Sequence, residues 1–251
     1  MSLDATTAVA YVLILCRTTA WSMTLPAIGR GISRFGRLAL SFSLAMFLVG
    51  VVPPATVPAD VGGLLAAAIT ETLIGLTLGW LIALAVAGIE ASGVLIDFFG
   101  GFAAASIFDP VSGHSAAVFA RLQTVTLGLL LVVSPALHGL IRSFAFSYEQ
   151  VPLGLSPSFQ TDVWTSVASA TSNILVAAVA IAAPVLGALL LAEAGLALAS
   201  RFVPQANVFF LGLPVKSLIT LTVVGASLTM VPVVFPRLLE IGADLGRSAF
   251  N

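Results

Sequence analysis

Two histidines, one cysteine and a thin scatter of acids and serines are the side chains here that could do chemistry. Their spacing supports none of it. His114 and His138 fall in different segments, and neither belongs to a His-Glu-x-x-His helix. A metal centre needs several ligands close together, and no such cluster is present in the sequence. Cys16 is the single cysteine, which excludes an intrachain disulfide and a multi-cysteine metal site. In its apolar run it reads as a small buried hydrophobe. Ser112-Gly113-His114-Ser115 and Ser92-Gly93 mimic a serine nucleophile, but Gly-x-Ser-x-Gly is absent, and a helix cap and a turn explain them better. Asp97 and Asp109 could form a carboxylate pair, except that Asp109-Pro110 is a common turn and helix-start signal. No glycine-rich loop carries a phosphate-binding lysine. No enzymatic activity, metal or cofactor is expected.

The remaining ionisable groups stand in apolar surroundings. The chain has 251 residues, 59% hydrophobic and 8% charged, with a mean hydropathy of +1.12. A soluble domain carries about a quarter charged residues. There is too little polar surface for a water-soluble globule, so an integral membrane protein or a subunit buried in a membrane complex is expected. The net charge of −1 gives no argument for nucleic acid. Met1–Thr7 has no positive charge, so no cleavable signal peptide is expected.

The elements follow from apolar runs and breakers. A first helix is expected over about Ala8–Ile28, with Arg17 near its middle, where an arginine faces protein, faces a wet cavity or snorkels. Arg30, Arg34 and Arg37 form an acid-free loop that favours the cytoplasmic side. Leu38–Val52 is a shorter apolar segment, followed by a connector with Pro53, Pro54 and Pro58. Val61–Ile89 is the third helix. Glu71, Gly75, Gly79, Ala83 and Ala87 recur there at steps of four, a ridge of small residues that lets helices approach closely. A further helix is expected from Ala116 to about Ile141, kinked or ended near Ser134 by Pro135. Ser143–Asp162 reads as the most polar loop. Val163–Ala192 is an uncharged helix containing Pro184, and Arg201–Lys216 reads as a turn between two helices of a hairpin. Ser217–Phe235 is the last apolar helix, followed by an amphipathic tail with Arg237, Glu240, Asp244 and Arg247. Together these make an all-α membrane protein of about six to eight long helices.

The stretch Glu90–His114 is the anomaly. It lies between two apolar segments but carries Glu90, Asp97 and Asp109, is loosened by Gly93, Gly100 and Gly101, and holds Phe98, Phe99, Phe102 and Phe108. Such a segment does not read as a membrane helix. It is tolerable where it is buried in protein or lines a cavity.

Several motifs coincide with one family. Glu71-Thr-Leu-Ile-Gly75-Leu-Thr-Leu-Gly79 resembles the "E…G…G" helix of the FliR/SctT family of type III export-gate proteins. Ala104-Ala-Ser-Ile-Phe-Asp109-Pro110 is similar to its "A-x-x-x-D-P" stretch, and Phe119-Ala-Arg121-Leu to the "L-x-R-L/I" that opens the next helix. Ser143 to Gly154 resembles "S-F-x-x-x-P-x-G". The best match is Arg201-Phe-Val-Pro204-Gln205-Ala-Asn207-Val-Phe-Phe-Leu-Gly212-Leu-Pro214-Val-Lys216, similar to "R-x-x-P-Q-x-N-V-F-x-x-G-x-P-x-K". Ser134-Pro-Ala-Leu-His138-Gly139 departs from the family's Asn-Gly-His, so no role is carried over to His138.

The resemblance implies a non-enzymatic subunit of the gate through which unfolded substrates cross the bacterial inner membrane at the flagellar basal body. It implies FliP-like and FliQ-like partners, an FlhB-like subunit and an FlhA-like export component. A FliP-like part is expected over 1–162 and a FliQ-like hairpin with the tail over 163–251, in one membrane domain. By the same resemblance, Gly100, Gly101, Phe102, Ile107, Phe108, Asp109, Pro110 and Gly113 belong to a channel plug. Arg17, Glu71, Gly75, Gly79, Arg201, Pro204, Gln205, Asn207, Pro214 and Lys216 are expected at intersubunit contacts. Family helices pack into a cone partly above the bilayer, so apolar segments need not be conventional spans. Three alternatives stay open: an injectisome member; a small-molecule transporter using Arg17, Glu71, Glu90 and Asp97; and an intramembrane protease, which lacks an arranged nucleophile.

Overall fold

A computed structural model describes residues 5–25, 33–52, 60–103, 117–155, 163–202 and 208–227. Among these residues there are seven helices and no strand: α1 (Ala5–Thr24), α2 (Arg34–Val49), α3 (Val61–Phe99), α4 (Val118–Val133), α5 (Ala136–Gln150), α6 (Val163–Phe202) and α7 (Val208–Ser227). Val61–Phe99 and Thr171–Phe202 are each long and apolar enough to cross a membrane. At 39 residues, α3 would extend roughly 58 Å, about twice the hydrocarbon thickness of a bilayer. The chain is an all-α membrane protein.

Local signals explain the helix starts and stops. The N-terminal helix stops at Thr24, one residue short of Leu25-Pro26, because the residue before proline is pushed out of the α region. Ser33 caps α2 by accepting the Gly36 N–H at 3.2 Å, so this helix starts earlier than its apolar run and takes in Arg34 and Arg37. Asp60 does the same for α3 through the Gly63 N–H at 2.9 Å. As expected of Pro135, α4 ends at Val133 and α5 restarts at Ala136.

Three expectations about helix extent need correction. First, Glu90–Phe99 is helical, a continuation of α3. Its polar side chains do not break the helix because each finds a partner on α4. Second, Ser143–Gln150 belongs to α5 and is no loop. Ser147 turns its hydroxyl onto the Phe144 carbonyl at 2.6 Å, and Phe144, Ser147 and Tyr148 are buried together, so part of the polarity of this stretch faces the interior of the unit. Third, Gly212, Pro214 and Lys216 stand inside α7, which starts at Val208. The amphipathic tail lies outside the described residues.

The chain divides into two compact units built from alternating stretches: Met1–Val86, Gly128–Ser172 and Leu238–Asn251, and then Ala87–Leu127 with Asn173–Arg237. In the first unit, Trp21 stacks on Phe144 with ring centroids 4.6 Å apart, and Phe144 meets the edge of Tyr148 at 5.8 Å. Gly75 and Gly79 let α3 lie against α1. A Cβ at Gly75 would run into the Arg17 carbonyl oxygen, and one at Gly79 into the Thr24 hydroxyl. In the second unit, Ile96 and Phe119 join Ala182, Val185 and Leu189 of α6 and Val224 of α7 in one buried cluster. There α6 and α7 form an antiparallel hairpin: Glu193 meets Lys216 at 2.7 Å, and Leu196 lies against Gly212.

Candidate functional site

The first unit is tied together by a wholly buried ion pair between Arg17 on α1 and Glu71 on α3. Arg17 Nε donates to Glu71 Oε2. Nη1 donates to the Ser147 carbonyl at 3.3 Å and to the Ser147 hydroxyl at 3.2 Å, and Nη2 donates to the Val151 carbonyl at 3.1 Å. The guanidinium carbon sits 4.1 Å from the centroid of the Tyr148 ring, a cation–π placement. Glu71 Oε1 accepts the Gly154 N–H at 3.1 Å. Gly154 has φ +79°, a backbone state that L side chains disfavour, so glycine is needed where the chain turns onto Glu71. Ser147 and Val151 lie at the C-terminal end of α5, where the Ser147 carbonyl already accepts the Val151 N–H at 3.0 Å and the helix dipole is negative. A cation is well placed there.

The second unit has the converse arrangement at the start of α4. The Ala117 carbonyl accepts the first helical bond, from the Arg121 N–H at 3.2 Å, yet alanine has no side chain able to cap. Asp97 supplies the cap from α3. Its Oδ1 accepts the Phe119 N–H at 3.0 Å, and its Oδ2 accepts the N–H groups of Phe119 at 3.1 Å and Ala120 at 3.0 Å. The side chain is almost wholly buried, so these bonds and the positive end of α4 replace water for the carboxylate. Ser92 donates to Gln123 Oε1 at 3.0 Å, and Thr124 donates to Glu90 Oε1 at 3.1 Å. A Cβ on Gly93 would come 2.7 Å from the Ala120 nitrogen, so this glycine allows the close approach that brings Asp97 to α4.

The helix then stops at Gly100-Gly101. The Gly100 N–H donates to the Ile96 carbonyl at 2.8 Å, and Gly101 takes φ +82°, the left-handed conformation that commonly closes a helix. A Cβ at Gly100 would lie 2.7 Å from the Thr220 hydroxyl oxygen. Both glycines are therefore used for termination and close packing. Phe102 meets the edge of the Phe119 ring at 5.0 Å. Ile107, Phe108, Asp109, Pro110 and Gly113 lie outside the described residues.

The other expected site residues are placed as follows. Arg17, Glu71, Gly75 and Gly79 are engaged inside the chain itself, and the first two have no exposed side-chain surface to offer a partner. Arg201 is exposed at the end of α6, Pro214 is exposed within α7, and Lys216 pairs with Glu193. Pro204, Gln205, Asn207 and His114 lie outside the described residues. His138 is exposed on α5, and no group of three or more potential metal ligands occurs among the described residues. Sequence reasoning missed Ser147, Tyr148, Phe119, Ala120 and Gln123 as partners. All but Gln123 fall within the motifs Phe119-Ala-Arg121-Leu and Ser143 to Gly154, which gave their place in the chain but not their partners.

A family model described as bacterial export proteins, family 1, matches residues 8–241. The chain is 27% identical over 245 residues to the flagellar biosynthetic protein FliR of Bacillus subtilis, covering 95% of this chain and 93% of the relative. It is 30% identical over 215 residues to the Yop proteins translocation protein T of Yersinia pestis, covering 83% and 82%. It is 29% identical over 154 residues to the surface presentation of antigens protein SpaR of Shigella sonnei, covering 61% and 59%.

Proposed function

The chain belongs to family 1 of the bacterial export proteins, and we propose on that premise that it is a structural subunit of a type III protein export gate. The observation that carries this reading is the match over residues 8–241, which takes in almost every described element. The geometry adds a physical reason. Arg17, Glu71, Glu90 and Asp97 are the groups a transporter would need along a polar path, and each is engaged by side chains or helix ends of its own unit. They hold helices in place, as a scaffold requires.

The partners we propose are FliP-like and FliQ-like subunits, with an FlhB-like subunit and an FlhA-like component, in the inner membrane. Unfolded export substrates would pass through the assembly, and the subunit would have no catalytic role of its own. The primary reading is flagellar, from the similarity to FliR of Bacillus subtilis. An injectisome role is the second reading, favoured by the 30% identity to the Yersinia protein. The genes adjoining this one separate the two. Within the proposed plug, the described residues Gly100, Gly101 and Phe102 form its fixed root beside Asp97.

Co-expression with FliP-like and FliQ-like subunits tests the reading. A stable co-purifying complex is expected, with the chain aggregating when expressed alone. A monodisperse monomer in detergent with no affinity for those subunits would overturn it.

A further inference from the structure

Asp97 is absorbed by none of the motifs above, yet it touches both sides of the break between α3 and α4. Its main-chain carbonyl accepts the Ala103 N–H at 3.1 Å, just beyond the end of α3. Its carboxylate accepts the Phe119 and Ala120 N–H groups at 3.0–3.1 Å, in the first turn of α4. The Phe102–Phe119 ring contact at 5.0 Å closes the same junction with apolar surface.

We propose that Asp97 is a positioning residue: its carboxylate, carried near the end of α3, is an anchor that fixes where the chain resumes in α4. The first turn of α4 is then capped by one side chain of α3, beside the Ser92–Gln123 and Thr124–Glu90 bonds that hold the same two helices together. The anchor works through hydrogen-bond geometry. Two N–H groups with no intrahelical acceptor converge on one side chain, while Ala117, at the usual capping position, can contribute nothing. That this anchor matters for substrate passage rests on the export-gate reading; the anchor itself does not.

The chemistry separates three roles for Asp97. An asparagine can place its one carbonyl oxygen where Oδ2 stands and accept from Ala120, but its amide nitrogen then stands where Oδ1 did, donor against the Phe119 N–H, so Asp97→Asn retains part of the anchor. Asp97→Ala and Asp97→Leu remove it, and leucine does so at greater volume. A role for the charge alone would instead make asparagine as harmful as alanine. A purely packing role would make leucine the mildest change.

The test is hydrogen exchange on the assembled complex in detergent, read at the peptide covering residues 117–124. Exchange of this peptide is expected to quicken roughly fivefold or more in Asp97→Ala and Asp97→Leu, the effect of losing one helix cap, and clearly less in Asp97→Asn. Equal exchange in all four proteins, or an asparagine variant as fast as the alanine one, would overturn the anchor. Substrate export by the same strains is expected to follow the same order. Export unchanged despite quickened exchange would overturn the link to passage and leave the anchor standing. Failure of the parent chain to join FliP-like and FliQ-like subunits would strike the export-gate reading separately.

Discussion

Arg17 and Glu71 stand 54 positions apart in the chain and meet as an ion pair with no exposed side-chain surface. Both reach the turn after α5, Arg17 through the Val151 carbonyl and Glu71 through the Gly154 N–H. Breaking a buried pair by removing one partner leaves an uncompensated charge and costs roughly 3–5 kcal/mol, whereas replacing both by apolar residues costs much less. Arg17→Ala and Glu71→Ala are therefore expected to abolish accumulation of the chain in membranes, and Arg17→Met with Glu71→Leu to restore part of it. Arg17→Lys is not expected to rescue, because an ammonium lacks the planar fork that reaches Glu71, Ser147 and Val151 together. Immunoblotting of membrane fractions reads all four; single variants as abundant as the parent would remove the pair from this role.

The two ridge glycines should differ. A Cβ at Gly75 meets main chain, the Arg17 carbonyl, while one at Gly79 first meets the Thr24 side chain. Gly75→Ala is expected to destabilise by about 1–3 kcal/mol as overpacking does, and Gly79→Ala by less. Gly128→Ala and Gly187→Ala, with nothing within 4 Å, should be neutral or better. Thermal denaturation of the purified complex gives the order; the same loss at all four positions would contradict close packing at Gly75.

At Gly154 the conformation decides. With φ at +79°, alanine there should cost about 1–2 kcal/mol, and asparagine less, because it tolerates the left-handed region. The Gly154 N–H would also leave Glu71 if the turn flipped. Proteolysis rates across 151–155 in membranes should rank Gly154→Val above Gly154→Ala above Gly154→Asn. A ranking with asparagine fastest would show that backbone strain is not the determinant.

The Lys216–Glu193 pair should behave differently from the buried one. Glu193 is 55% exposed, and such pairs contribute roughly 0–1 kcal/mol. Lys216→Ala is expected to leave the melting temperature of the complex within a few degrees while lowering export, if the motif around it serves assembly or passage. A melting loss as large as that of Arg17→Ala would instead make this pair structural.

Composition and prolines were enough to read the class and the punctuation. So few charges over so many apolar residues left only a membrane fold, Pro135 ended a helix where expected, and the steps of four from Glu71 to Gly79 marked a face that does pack closely. The Pro-Gln-x-Asn-Val-Phe block pointed to the family before any fold was known. The partners of the ionisable groups on α1 and α3 came instead from the packing of the helices. In sequence, all four of Arg17, Glu71, Glu90 and Asp97 fit a transport path, and Arg17 and Glu71 also fit intersubunit contacts. The partners of their side chains lie 22 to 134 positions away, which no local pattern records. The helicity of Glu90–Phe99 was hidden for the same reason: an acid and a glycine read as breakers until Phe119, Ala120 and Thr124 are seen to receive them. A helix end satisfied by a side chain from another helix leaves no mark beside either residue, because the capping rule is one of space, and sequence fixes distance only along the chain.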